Sequence, residues 1–208
     1  MKKRVLSIVF NFILAAAVLG AWLYMVFHAA GGLVLTAAGF ANLKYFTILS
    51  NLLAGTAAIL YAIRLLRGKT PRWIELLKYS GAVSVGLTFL VVMVFLGPLY
   101  GYGSMFRGAN LLFHLLIPLA AMAEFAFFLP FRPMRFSESL LATVPMLLYG
   151  FGYLGNILIN GRGEWPNTND WYSFTYWGMG VALLIFAVII LATWGIALLL
   201  RLANRKAR

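Results

Sequence analysis

The sequence predicts an all-α, polytopic integral membrane protein with six transmembrane helices and both termini in the cytoplasm. Three observations predict it. Of 208 residues, 63% are hydrophobic and only 11% charged, with a mean hydropathy of +0.91; no soluble domain of this size needs so much apolar surface. The apolar residues form six continuous runs, and a bilayer core of about 30 Å takes roughly 20 residues to cross. Continuous runs exclude the alternating strands of a β-barrel, which leaves helices to satisfy the backbone in lipid. Finally, the cations that give a net charge of +12 collect at the ends of the runs. That placement reads as topology and argues against nucleic acid.

The first span is predicted at residues 5–27. Met1-Lys2-Lys3-Arg4 ahead of it resembles a signal-peptide start, but the run is too long for a signal h-region, so it reads as a retained span. The others follow at 45–66, 79–100, 110–129, 139–159 and 176–200. Fourteen cations fall on one side: Lys2, Lys3, Arg4, then Arg64, Arg67, Lys69, Arg72, Lys78, then Arg132, Arg135, and finally Arg201, Arg205, Lys206, Arg208. Lys44, Arg107 and Arg162 fall on the other. The positive-inside rule therefore places both ends in the cytoplasm. The chain reads as one domain, residues 1–208, without repeat or linker. With no Cys, disulfides, thiolate metal sites and Cys nucleophiles are excluded.

The second span opens with Tyr45-Phe46-Thr47-Ile48-Leu49-Ser50-Asn51-Leu52-Leu53. Thr47, Ser50 and Asn51 share one helical face. Polar groups in lipid-facing sequence pack helices together or line a cavity. Ionisable residues within spans are His114 and Glu124. Counting inward from Lys44 and Arg107 puts Thr47 and His114 within about one turn of each other in depth, in the outer third of the membrane. Pro118, one turn on, frees a backbone carbonyl that the His114 ring could use. The residue types are those of a hydroxyl nucleophile and a general base acting on an ester carbonyl. Asn51, Ser50, Asn110 and Asn156 are candidate oxyanion donors. Interhelical packing accounts for the same residues. Tyr149, Tyr153 and Asn156 form a stripe on the fifth span, as packing or as a cavity wall. Gly150, Gly152 and Gly155 there permit close helix approach, and Pro145 a kink. Glu124, about 15 Å deeper than His114, is expected to pair with Arg64 or an inner-loop Arg, or to be protonated. Glu75 and Glu138 read as solvated or ion-paired charges near helix ends. His28 reads as an interfacial cap; haem ligation by His28 and His114, or zinc held with Asp170 or Glu164, ranks below that.

The Phe46-Thr47-x-x-Ser50-Asn51-Leu52-Leu53 stretch, then His114-Leu-Leu-Ile-Pro118, then Trp171-Tyr172-Ser173-Phe174 before the last span, resembles the androgen-induced membrane protein family, and more closely its bacterial six-pass branch. The eukaryotic members are intramembrane threonine hydrolases that cleave fatty acid esters of hydroxy fatty acids. By motif, the resemblance implies Thr47 as nucleophile and His114 as base. It implies a lipid ester substrate, with surrounding membrane lipids as partners and no cofactor, and a location in the bacterial inner membrane; the residues themselves offer Ser50, Asn51, Asn110, Tyr153 and Asn156 as substrate contacts and no metal site. Two positions depart from the family pattern: Ala120-Ala-Met-Ala-Glu124-Phe stands where an Asp-Trp pair is frequent, and Ser173 stands where a Pro is usual. A non-enzymatic lipid- or solute-binding or transport protein is the alternative that the residues leave open.

Overall fold

The computed structural model describes residues 2–28, 39–128, 132–164 and 167–206. Met1, Leu129 and Arg208 of the sequence reading lie outside them. Among the described residues there is no strand, and six helices are long and apolar enough to cross a membrane. They are α1 (Lys2–His28), α2 (Phe46–Arg67), α3 (Arg72–Tyr100), α4 (Ala109–Phe128), α5 (Phe136–Asn160) and α6 (Met179–Lys206). The fold is that of a multi-pass membrane protein.

Helix α3 is central. Every residue from Gly81 to Thr88 is buried, and most are small, so neighbours approach closely, as small residues allow in lipid. A Cβ on Gly81 would stand 3.0 Å from the Ala54 Cα of α2. Gly81→Val is therefore expected to push α2 from α3 and cost about 1–3 kcal/mol, read as a fall in thermal unfolding temperature in detergent. Of the three α5 glycines, only Gly150 meets another side chain, the Phe186 ring of α6; Gly152 and Gly155 face open space. One apolar cluster joins α1, α2 and α4 through Val18, Ile48, Phe113 and Ile117. A second joins α3, α4 and α6 through Tyr79, Phe125 and Ala197, with the Tyr79 hydroxyl donating to the Ala197 carbonyl.

The start of α1 and the end of α6 share one end of the bundle. There the Arg4 Nε donates to the Leu65 carbonyl (3.0 Å) and the Arg201 Nε to the Met134 carbonyl (2.9 Å). Arg72 bridges Glu75 (2.7 Å) and Glu138 (2.8 Å). Both carboxylates thus take the paired form of the sequence expectation. Helix α3 begins at Arg72 rather than at 79, so Lys78 lies inside the span and not in a loop. The apolar run begins late because Arg72, Glu75 and Lys78 occupy the first two turns facing partners, not water.

Three π-helical segments interrupt α3 and α4: Val92–Leu96, Leu112–Leu116 and Glu124–Phe128. Two precede Pro98 and Pro118, whose missing N–H cannot bond the carbonyl four residues back. Wider bonds close the gap instead, from Gly97 N–H to the Val92 carbonyl and from Ile117 N–H to the Leu112 carbonyl. His114 and Glu124 both stand on such segments, which occur often at functional sites. Helix α5 breaks at Ala142–Thr143, just ahead of Pro145.

Candidate functional site

Helix α2 starts without a side-chain cap on Tyr45. The Tyr172 hydroxyl supplies the missing acceptor, taking the Phe46 N–H at 2.8 Å. Thr47 follows, half-buried. Its carbonyl accepts two side chains from the next turn, Ser50 Oγ at 3.1 Å and Asn51 Nδ2 at 2.7 Å. Asn51 Nδ2 also donates to the Phe113 carbonyl at 3.2 Å. One amide therefore pins the Thr47 turn of α2 to the residue just before His114 on α4. Two carbonyl neighbours can only accept, which fixes the orientation of this amide. Asn51 Oδ1 is left buried with no hydrogen-bond partner. Towards a ligand Asn51 thus offers an acceptor, not the N–H that an oxyanion needs. Ser50 Oγ pairs with Thr88 Oγ1 of α3 at 2.9 Å.

His114 is 8% exposed. Its Nδ1 lies 2.7 Å from the Met105 carbonyl. A carbonyl only accepts, so Nδ1 carries the proton and Nε2 presents a lone pair. The carbonyl that Pro118 frees is His114's own, so the ring turns instead to the 101–108 connection. No hydrogen bond joins Thr47 to His114. The Asn110 side chain, half-buried four residues before His114, makes none of the hydrogen bonds found.

Residues 160–164 and 167–178 fold over this end, organised by Asp170. That carboxylate, 2% exposed, accepts from the Tyr153 hydroxyl, the Thr175 hydroxyl (2.6 Å), and the N–H groups of Phe174 (2.8 Å) and Thr175 (3.0 Å). Arg162 stands 3.7 Å away. The turn that closes on Asp170 holds Ser173 at φ 55°, with its N–H on the Asp170 carbonyl. Tyr153 and Asn156 therefore reach the loop and not Thr47. Asn156 Nδ2 donates to Asn169 Oδ1 at 3.2 Å. Tyr45, Tyr149, Tyr153, Trp171 and Tyr172 stack edge to face around the same anchor, and Lys44 Nζ lies 5.3 Å and 5.7 Å from the Tyr45 and Trp171 rings. Burial alone would raise the Asp170 pKa, but hydrogen bonds from Thr175 and Tyr153 outweigh it and hold the carboxyl below its usual range. A carboxyl that is more acidic in the docked state stabilises docking fully above the ordinary Asp pKa of about 3.9 and loses that contribution as pH falls through the lowered value. Asp170→Ala leaves several donors unmet, an expected cost of roughly 2–3 kcal/mol to loop docking. Limited proteolysis should then cut the 160–178 segment faster in the variant at neutral pH, and in the wild type only in strong acid.

Deeper in the bundle, Glu124 pairs with neither Arg64 nor an inner-loop Arg. Its partner is Lys78, at 2.6 Å, with both side chains buried. Lys78 Nζ also donates to Asn11 Oδ1 at 2.6 Å, and Asn11 Nδ2 donates back to Glu124 Oε1 and to the Ser7 carbonyl. The triad closes on itself across α1, α3 and α4. Lys78, Asn11, Asp170 and Tyr172 are the residues whose importance the sequence reading missed. Lys78 was legible only as a cation beside an apolar run. His28 stacks on Tyr24, with centroids 5.1 Å apart. Among the described residues no three His, Asp or Glu side chains gather as a metal site.

A cleft of about 330 Å³ opens between α2, α3 and α5, lined by Phe46, Leu49, Ser50, Ser84, Pro145 and Tyr149 among others. Neither Thr47 nor His114 lines it. No protein-family model, curated protein or solved structure matches this chain.

Proposed function

We propose that the chain is an intramembrane hydrolase of lipidic esters, such as fatty acid esters of hydroxy fatty acids, with Thr47 as nucleophile and His114 as general base. The observation that carries this reading is the Asn51 bridge, which holds the Thr47 turn and the His114 segment at one level on facing helices. The Met105 carbonyl adds support, because it leaves His114 Nε2 unprotonated and free. In this reading Nε2 takes the Thr47 proton as the hydroxyl oxygen attacks the ester carbonyl carbon. The bond to the alcohol oxygen then breaks, and the alcohol leaves with that proton. Water next attacks the Thr47 acyl ester with Nε2 again as base, releasing the acid and restoring the hydroxyl. The Phe46 and Ile48 N–H groups are already engaged, so what the first turn of α2 offers the oxyanion is the positive end of its dipole.

The motif resemblance to the androgen-induced membrane protein family supports the same assignment. Moving Lys78 from the fourteen inner cations into a span leaves thirteen against three, a bias that supports cytoplasmic termini; a bacterial inner-membrane location rests on the motif resemblance alone. The test is turnover of a branched fatty ester by purified protein in nanodiscs. Turnover should be present in the wild type and at background in Thr47→Ala, with unfolding temperature unchanged; equal turnover in both overturns the assignment. The cleft that excludes Thr47 and His114 favours a second reading, a lipid-binding or transport protein, which predicts binding without turnover.

A further inference from the structure

We infer that the cleft between α2, α3 and α5 is a lipid-chain site that selects for a hydrogen-bond acceptor, an oxo or ester oxygen, part-way along the chain. The inference does not depend on the Thr47–His114 reading. Ser84 is 1% exposed, lines the cleft, and its Oγ has no hydrogen-bond partner. In a helix a serine hydroxyl usually returns to a carbonyl of the preceding turn; this one does not. A buried donor without an acceptor is costly, more so where no bulk water reaches. The other polar groups of the cleft have uses already. Ser50 Oγ donates to the Thr47 carbonyl and pairs with Thr88, and the Tyr149 hydroxyl donates to the Lys44 carbonyl at 2.6 Å. Ser84 is thus the one donor in the lining still to be satisfied.

The rest of the lining suits an aliphatic chain. Phe46, Leu49, Leu53, Pro145 and Leu148 supply it, and Leu148 is 70% exposed at the mouth, so entry is from the lipid side. From Phe46 to Leu53 the slot runs about 10 Å along α2. Ser84 lies roughly 18 Å from Arg72 and 24 Å from Tyr100 along α3, well inside the span. Along α2 this is the level of Ser50 to Ala54, roughly 6–12 Å in from Phe46, beneath a headgroup oxygen and matching an oxygen within the chain. Helix α5 breaks at Ala142–Thr143, just ahead of the lining residue Pro145.

The test uses the full chain in phosphatidylcholine nanodiscs. Photocrosslinking by a diazirine stearate is competed with unlabelled stearate or with stearate bearing a mid-chain oxo group. The oxo chain is expected to compete on the order of tenfold better in the wild type, the worth of one hydrogen bond to a buried donor. Ser84→Ala should bring the two competitors level without weakening stearate. Leu148→Trp, at the lipid-facing mouth, should weaken both. Thr47→Ala should change neither, whether or not the protein hydrolyses esters. Equal competition in the wild type, or an oxo preference that survives Ser84→Ala, overturns the inference.

Discussion

Glu124→Ala is expected to destabilise the bundle by about 3–5 kcal/mol, the cost of leaving a buried partner charge unpaired. Lys78 would remain 4% exposed at its side chain, with Asn11 as its only oxygen ligand. Asn11 would in turn lose an acceptor. Repulsion has no part in this; the penalty is desolvation without compensation. The converse replacement, Lys78→Met with Glu124→Leu, removes both charges and fills similar volume. It should recover most of the loss, since apolar substitutes for buried pairs are often neutral or better. Thermal unfolding and dodecyl sulfate titration in detergent micelles would measure both. A single Glu124→Ala variant as stable as the wild type would mean that Lys78 finds water or sheds its proton.

The second large effect concerns turnover. His114→Ala removes the base and should lower ester hydrolysis by about 10²–10⁴-fold. Thr47→Val keeps the shape of the side chain and removes only its hydroxyl, so it should lose as much with little change in stability. Thr47→Ser should retain part of the rate. Because nucleophile and base act as one unit, the double variant should be no worse than either single one. Losses that simply add would point to two packing defects instead.

The spans were more legible than the polar contacts inside them. Six spans could be read because each is a continuous apolar run, and in lipid that pattern has one backbone solution. Two of the three π segments precede a proline, Pro98 or Pro118, but a missing N–H does not say whether a helix kinks or widens. Lys78 was misplaced because its partner stands 46 residues away, and local sequence cannot show that a cation at the edge of an apolar run faces inward. Asp170 was hidden for a related reason. Its loop has the composition of an exposed connection, and only the convergence of Tyr153, Phe174 and Thr175 makes it an anchor. Asn51 was visible as a polar residue beside Thr47. Which of its atoms would face a ligand depended on two carbonyls, of Thr47 and Phe113, that only the fold brings together.

The functional proposal rests on the reactivity of one hydroxyl, and mapping a covalent adduct tests that directly. Wild-type protein in nanodiscs, treated with a lipid-tailed fluorophosphonate and digested, should carry the phosphonyl group on Thr47. His114→Ala should carry none. An adduct on Ser50 or another hydroxyl, or labelling of Thr47 undiminished in His114→Ala, would contradict the assignment.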